Sequence, residues 1–295
     1  MKDSGQMDAG QMDAGQMDAS DYWLDMERGD VPDVLKDYAV RSEVVRNGPN
    51  AVLGLRYGPD PRERLELFKP DMPGRVPFVA FIHGGWWKGG RPEDRACLAP
   101  HFTDRGIAFV SIGYPLAPAA SLREIVDSIF RAMAWLGANG IAHGLDLQRM
   151  VIAGNSAGGH LAAMAASADG LAAAGLDVHG IRGLCAFSGL YDLAPLRGSY
   201  ADEWLNLDDA TIADCSPVRK LPPASVPVFL GIGDGEPGGF QAQTKDFASL
   251  LRESGRSAET AIVPDRHHFS VIADIGAPGS APFNFILKQL GDQTK

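Results

Sequence analysis

From Ala51 onward the chain alternates short apolar runs with longer stretches of helical period, and this alternation limits the folds open to it more than any other feature. The runs AVLGLRY, RLELFK, VPFVAFIHGG, IAFVSIGY, RMVIAG, IRGLCAFSGL, VPVFLGIGD and SAETAIVP read as strands punctuated by Gly and Pro. Between them SLREIVDSIFRAMAWL keeps Leu122, Ile125, Val126, Ile129, Phe130, Met133 and Leu136 on one helical face, and Ser121 with Glu124 spells a capping box. FQAQTKDFASLLRESG is a second helix, with Gly255 placed to stop it. Two leading strands with no helix between them, then strand and helix in turn, predict an α/β fold: a mostly parallel eight-stranded sheet with helices on both faces. The carboxyl ends of such strands carry the loops that do chemistry, and Ser156, the His83 loop, Asp234 and the pair His267 and His268 all fall there.

A chain of 295 residues with 45% hydrophobic content can bury one large core, so a single domain is expected over 21–295. A net charge of −10 without a Lys/Arg cluster argues against nucleic acid or an acidic membrane surface as partner. Cys97, Cys185 and Cys215 are odd in number and widely spaced, which fits buried small hydrophobes better than a disulfide framework or a zinc site. No apolar run is long enough to span a bilayer, and the opening MKDSGQMDAG is acidic and lacks an apolar core, so a cytoplasmic protein is expected. The unit GQMDA recurs from Gly5, Gly10 and Gly15, and residues 1–20 are expected to form a disordered low-complexity tail, with a short helix beginning near Asp21. Self-association as a homodimer stays open.

Within that frame VIAGNSAGGH sets Ser156 between a buried strand and an alanine-rich helix. Such a turn is a nucleophile elbow, in which the small residues Gly154, Gly158 and Gly159 let strand and helix approach without a Cβ clash. The plainer alternative is a serine that caps the helix. A serine hydroxyl becomes a nucleophile only with a base, the base needs an orienting acid, and the oxyanion needs preorganised donors. Asp234 ends a strand downstream, His267 and His268 follow the last one, and the order serine, acid, histidine is that of α/β-hydrolases. The glycines of FIHGGWW turn backbone amides toward a bound carbonyl, so Gly85, Trp86 and Ala157 are expected to form the oxyanion hole. His83, Gly84, Trp87 and Tyr114 are expected to touch substrate, Trp87 foremost, with residues 191–217 as a small cap.

The segments HGGWW, GYPLAP, GNSAGGHLAAM, SGLYDLAPL, DCSP and HHF together resemble the arylformamidase (kynurenine formamidase) branch of the hormone-sensitive-lipase-like α/β-hydrolases, from about Tyr22 to Leu290. The resemblance implies Ser156 as nucleophile, His268 as base and Asp234 as acid, with no metal or other cofactor. It also implies hydrolysis of N-formylkynurenine and of simple aryl esters. The stretch from Asp234 to Phe240 is about two residues longer than the family pattern, so counting back from Phe240 selects Glu236 instead, while counting on from the strand selects Asp234. GEPGG reads as flexible material able to absorb an insertion, which favours Asp234. Three functions follow from these residues: an aryl formamidase or amidase, an aryl or short-chain carboxylesterase with the same triad, or a catalytically dead fold used as a receptor, which the complete triad disfavours.

Overall fold

The computed structural model describes residues 19–27 and 29–291; the repeat tail expected over 1–20 lies almost wholly outside them. All eight expected strands form, as β1 (Ala51–Arg56), β2 (Arg64–Phe68), β3 (Val76–Ile82), β4 (Ala108–Ile112), β5 (Leu145–Asn155), β6 (Ile181–Phe187), β7 (Val228–Gly233) and β8 (Ala258–Val263). They make one sheet in the order β1-β2-β4-β3-β5-β6-β7-β8, with β2 antiparallel to both its neighbours and the remaining pairs parallel. The helices are α1 (Val31–Arg46), α2 (Ala99–Thr103), α3 (Leu122–Asn139), α4 (Ala157–Ala166), α5 (Ala168–Ala174), α6 (Asp202–Leu205), α7 (Asp209–Cys215), α8 (Gly238–Glu253) and α9 (Ala281–Leu290). No helix among the described residues is long and apolar enough to cross a membrane.

Side chains alternate across a strand, so β3, buried at every position, feeds two cores at once. Phe78, Ala80 and Ile82 pack with Ile125, Ile129 and Met133 of α3 and Leu161 of α4. Val79 and Phe81 pack on the opposite face with Tyr38 of α1, Phe102 of α2, and Phe283 and Ile286 of α9. α3 starts where the capping box placed it: Ser121 Oγ accepts from Glu124 N while the Glu124 carboxylate accepts from Ser121 N. After α8, Ser254 caps the helix and Gly255 takes φ +77°, the left-handed conformation that stops it. All three cysteines are buried and free.

Two segments differ from expectation. The chain around Asp21 forms a 3-10 turn over Ala19–Tyr22, and the ordered helix that follows is α1, which the sequence reading did not single out. Its apolar face is narrow, since only Val31, Tyr38 and Ser42 are buried along sixteen residues, so helical periodicity is nearly silent there. Residues 191–217 fold as a 3-10 turn with α6 and α7 but line no part of the cleft described below; they back the HGGWW loop, where Trp204 Nε1 donates to Trp86 O at 3.0 Å.

Candidate active site

β5 ends at Asn155, and the next residue, Ser156, takes φ +56° and ψ −125° before α4 begins at Ala157. A β-carbon in that conformation costs on the order of 1–3 kcal/mol, which the surroundings must offset. Ser156 N donates to Phe187 O at 2.8 Å and Ser156 O accepts from His160 N at 3.1 Å, pinning the turn from both sides. The glycines permit it: a Cβ at Gly158 would lie 2.1 Å from Ile82 O, one at Gly154 2.2 Å from Gly158 O, and one at Gly159 2.9 Å from Phe187 O. The serine is therefore held in the strand-to-helix turn, and it caps no amide of the helix with its side chain.

The loop after β3 is shaped by the same kind of crowding. Gly85 takes φ +125°, and a Cβ there would lie 2.3 Å from Gly89 O, while Trp86 and Trp87 follow at φ +53° and +54°. The amides of Gly85, Trp86 and Ala157 donate to no acceptor among the described residues, leaving three backbone donors free beside Ser156.

His268 lines the same cleft as Ser156. Its Nδ1 lies 2.6 Å from Glu236 Oε2, and Glu236 Oε1 accepts from Gly233 N and from Ser188 Oγ, each at 2.7 Å. The Glu236 side chain is wholly buried, and the His268 ring rests 4.5 Å from the Phe240 ring. Asp234, the acid expected from the strand end, is exposed, and its Oδ1 accepts only from Arg266 N, at 3.2 Å. The expectation fails because the chain turns away at the end of β7. Asp234 N is held by Val263 O and Gly235 N by Arg266 O, and the longer Glu236 side chain reaches back to cap Gly233 and meet the imidazole. GEPGG is not slack: Glu236 O accepts from Gln241 Nε2, Pro237 leads α8, and a Cβ on Gly239 would lie 2.7 Å from the Tyr22 ring. His267 points elsewhere, its Nε2 3.2 Å from Asp30 Oδ1.

A cleft of about 420 Å³ opens above Ser156 and His268, lined also by Gly84, Gly85, Trp86 and Asn155. Its far wall comes from Leu24 and Met26 ahead of α1 and from Leu35 and Ala39 of α1 itself, so the N-terminal segment covers the site in place of 191–217. Three of the four residues expected to touch substrate do not line it. Trp87 is fully buried, its Nε1 donating to His160 Nδ1 at 3.2 Å, while His160 Nε2 bonds Cys215 O at 2.7 Å. His83 and Tyr114 stack ring on ring with centroids 4.3 Å apart, and Tyr114 Oη donates to His83 O, which props the loop from behind. Gly84 does line the cleft, where a Cβ would come 3.0 Å from Ser156 Cβ, and the tryptophan that lines it is Trp86. Burial pushes the His83 imidazole down to about 3 and that of His160 down to about 4, so both are neutral props. No group of three His, Cys, Asp or Glu side chains that could hold a metal ion occurs among the described residues.

Comparison with known proteins places the fold and the family. The BD-FAE family matches residues 65–249, more than half of the chain. The kynurenine formamidase of Danio rerio is 26% identical over 85% of this chain and 85% of its own length. The crystal structure of a candidate thioesterase from Silicibacter sp. TM1040 superposes with a TM-score of 0.80 at 28% identity, covering 92% of this chain and 99% of that one. Esterase B of Lactobacillus rhamnosis shares the fold, with a TM-score of 0.67 at 22% identity over 88% and 94% of the two chains. The eight-stranded sheet, the strand-to-helix serine and these relatives together make this a hydrolase of the esterase and amidase type, and the chain belongs to the BD-FAE family of arylformamidase-like α/β-hydrolases.

Proposed function

We propose that the protein cleaves small aryl formamides, aryl amides or short-acyl aryl esters through an acyl-enzyme, with N-formylkynurenine as the formamide of reference. The observation that carries the reading is the buried contact of His268 Nδ1 with Glu236 Oε2 at 2.6 Å, on a histidine that lines one cleft with Ser156. In this reading His268 Nε2 takes the proton of Ser156 as the hydroxyl attacks the carbonyl carbon. Glu236 fixes the Nδ1–H tautomer and stabilises the imidazolium that forms. The free amides of Gly85, Trp86 and Ala157 receive the oxyanion. Collapse of the tetrahedral intermediate needs a proton on the departing anilide nitrogen, which His268 returns, and water activated by the same ring then releases the acyl group. Trp86 crowds the acyl side and favours formyl and acetyl groups over longer chains.

Two measurements test this. A fluorophosphonate should label the protein at Ser156, and kcat/KM on aryl esters of one leaving group should fall as the acyl chain lengthens, with N-formylkynurenine hydrolysed alongside. A preference for medium or long acyl chains with no formamide cleavage would favour the esterase reading; absence of labelling would remove the hydrolase mechanism itself.

A further inference from the structure

The cleft holds one cation that the chemistry above does not use. Besides His268, the titratable side chains that line it are Asp94 and Arg95. Asp94 lies 3.4 Å from Arg91, while Arg46 and Arg64, outside the cleft lining, pair with Glu66 and Glu93. Arg95 has no carboxylate within ion-pair distance among the described residues. One of its donors, at Nη1, is used on Asp94 O at 3.0 Å, while its Nε is buried and makes no hydrogen bond. The Nε is closed off from the cleft, but Nη2 makes no hydrogen bond among the described residues, and a guanidinium half withdrawn from water is costly unless an anion meets such a donor.

The side chain is also held in place. Its guanidinium lies 5.6 Å from the centre of the Tyr38 ring, and Tyr38 Oη donates to Phe269 O, beside His268. The segment that carries it is tied to α1 by Cys97 N, which donates to Ser42 Oγ at 3.0 Å. A planar fork fixed against an aromatic ring is preorganised for a carboxylate, which it can grip with two parallel hydrogen bonds.

We propose that Arg95 binds a carboxylate of the substrate, so that the cleft selects aryl esters and amides bearing a carboxylate away from the scissile bond; this rests on the serine-hydrolase reading above. In a chain of net charge −10 the general field repels anions, so the preference comes from this one local cation.

The test compares kcat/KM for 3- and 4-acetoxybenzoate with that for phenyl acetate, in the parent protein and in Arg95→Gln and Arg95→Lys. The parent should favour at least one carboxylated ester, and Arg95→Gln should lower that ratio about 10- to 100-fold, chiefly through KM, as loss of a charge-assisted contact does. Arg95→Lys should fall between, keeping the charge without the fork. Using a ratio cancels any loss of folded protein. An Arg95 that serves only to pack on Tyr38 would lower all three rates alike and leave the ratio unchanged, which overturns the proposal, as does a parent with no preference for either carboxylated ester. Benzoate supplies a readout without turnover: it should raise the melting temperature of the parent more than benzamide does, and this difference should vanish in Arg95→Gln. Benzoate recognition without any ester cleavage or serine labelling would sink the hydrolase reading and leave Arg95 as an anion site; cleavage and labelling without benzoate recognition would do the reverse.

Discussion

Changing Glu236 to Gln separates the two carboxylates that the sequence leaves in competition. The replacement keeps the size of the side chain, and its amide oxygen can still accept from Gly233 N and Ser188 Oγ, which hold Oε1 at 2.7 Å. The NH2 group is then turned toward His268 Nδ1, where the carboxylate oxygen lies at 2.6 Å. Two N–H groups cannot share that contact, so the ring must move its proton to Nε2, the atom that has to accept from Ser156. The transition state also loses the buried anion that faces its imidazolium. In the serine-protease triad the comparable Asp→Asn change costs roughly 10⁴ in kcat. A loss of that order, about 5.4 kcal/mol in barrier height, is expected here. Asp234→Asn touches an exposed side chain bonded only to Arg266 N, so its rate should stay within about twofold, as for ordinary surface substitutions. Steady-state kinetics on phenyl acetate read both rates, and thermal melts show whether the fold is kept. A Glu236→Gln rate within tenfold of the parent would refute the reasoning, and so would a large loss confined to Asp234→Asn.

Three further outcomes follow from the same geometry. Ser156→Ala should cut kcat by about 10⁶ and abolish fluorophosphonate labelling, with the melting temperature unchanged or slightly raised because alanine bears the same φ without a buried hydroxyl; residual turnover above about a thousandth would unseat the nucleophile. Gly158→Ala drives a Cβ to 2.1 Å from Ile82 O, a backbone atom that cannot swing aside, so unfolding free energy should drop by about 3 kcal/mol or more in urea titration, and a drop under about 1 kcal/mol would show that the elbow yields. The folded pKa of His160, about 4, lies below the unfolded 6.5, so the unfolded chain binds the proton first: stability is complete above about pH 6.5 and falls as pH drops toward 4, by about 1.4 kcal/mol per unit for this ring. His160→Gln keeps an acceptor for Trp87 Nε1 and a donor for Cys215 O, so it should flatten the stability profile over that window, and an unaltered slope would mean the ring does titrate in the fold.

The parts of this protein that could be read from its sequence are those that local rules determine. Eight strands followed from apolar runs because a sheet covered on both faces demands them, and the α3 capping box and the Gly255 stop are one-turn motifs that no distant contact can hide. The Ser156 elbow was legible for the same reason, since its glycines answer to clashes within a few residues of one another. What escaped depends on side-chain reach across the sheet edge. Asp234 and Glu236 differ by two positions and one methylene, and only the path of the chain after β7, fixed by amides that bond Val263 O and Arg266 O, decides which carboxylate meets His268. Trp87 read as a substrate contact because its loop is functional, yet consecutive left-handed residues swing Trp86 toward the cleft and send Trp87 inward to His160. The covering wall was missed because Leu24, Met26 and α1 carry too faint an apolar stripe to announce a packed helix, and their role is set by what lies opposite them in space. Arg95 is the limiting case. Nothing in PEDRACL marks it, since an arginine among charged neighbours reads as a solvated face, and it stands out only once the cleft is traced and its one arginine proves to have no carboxylate partner among the described residues.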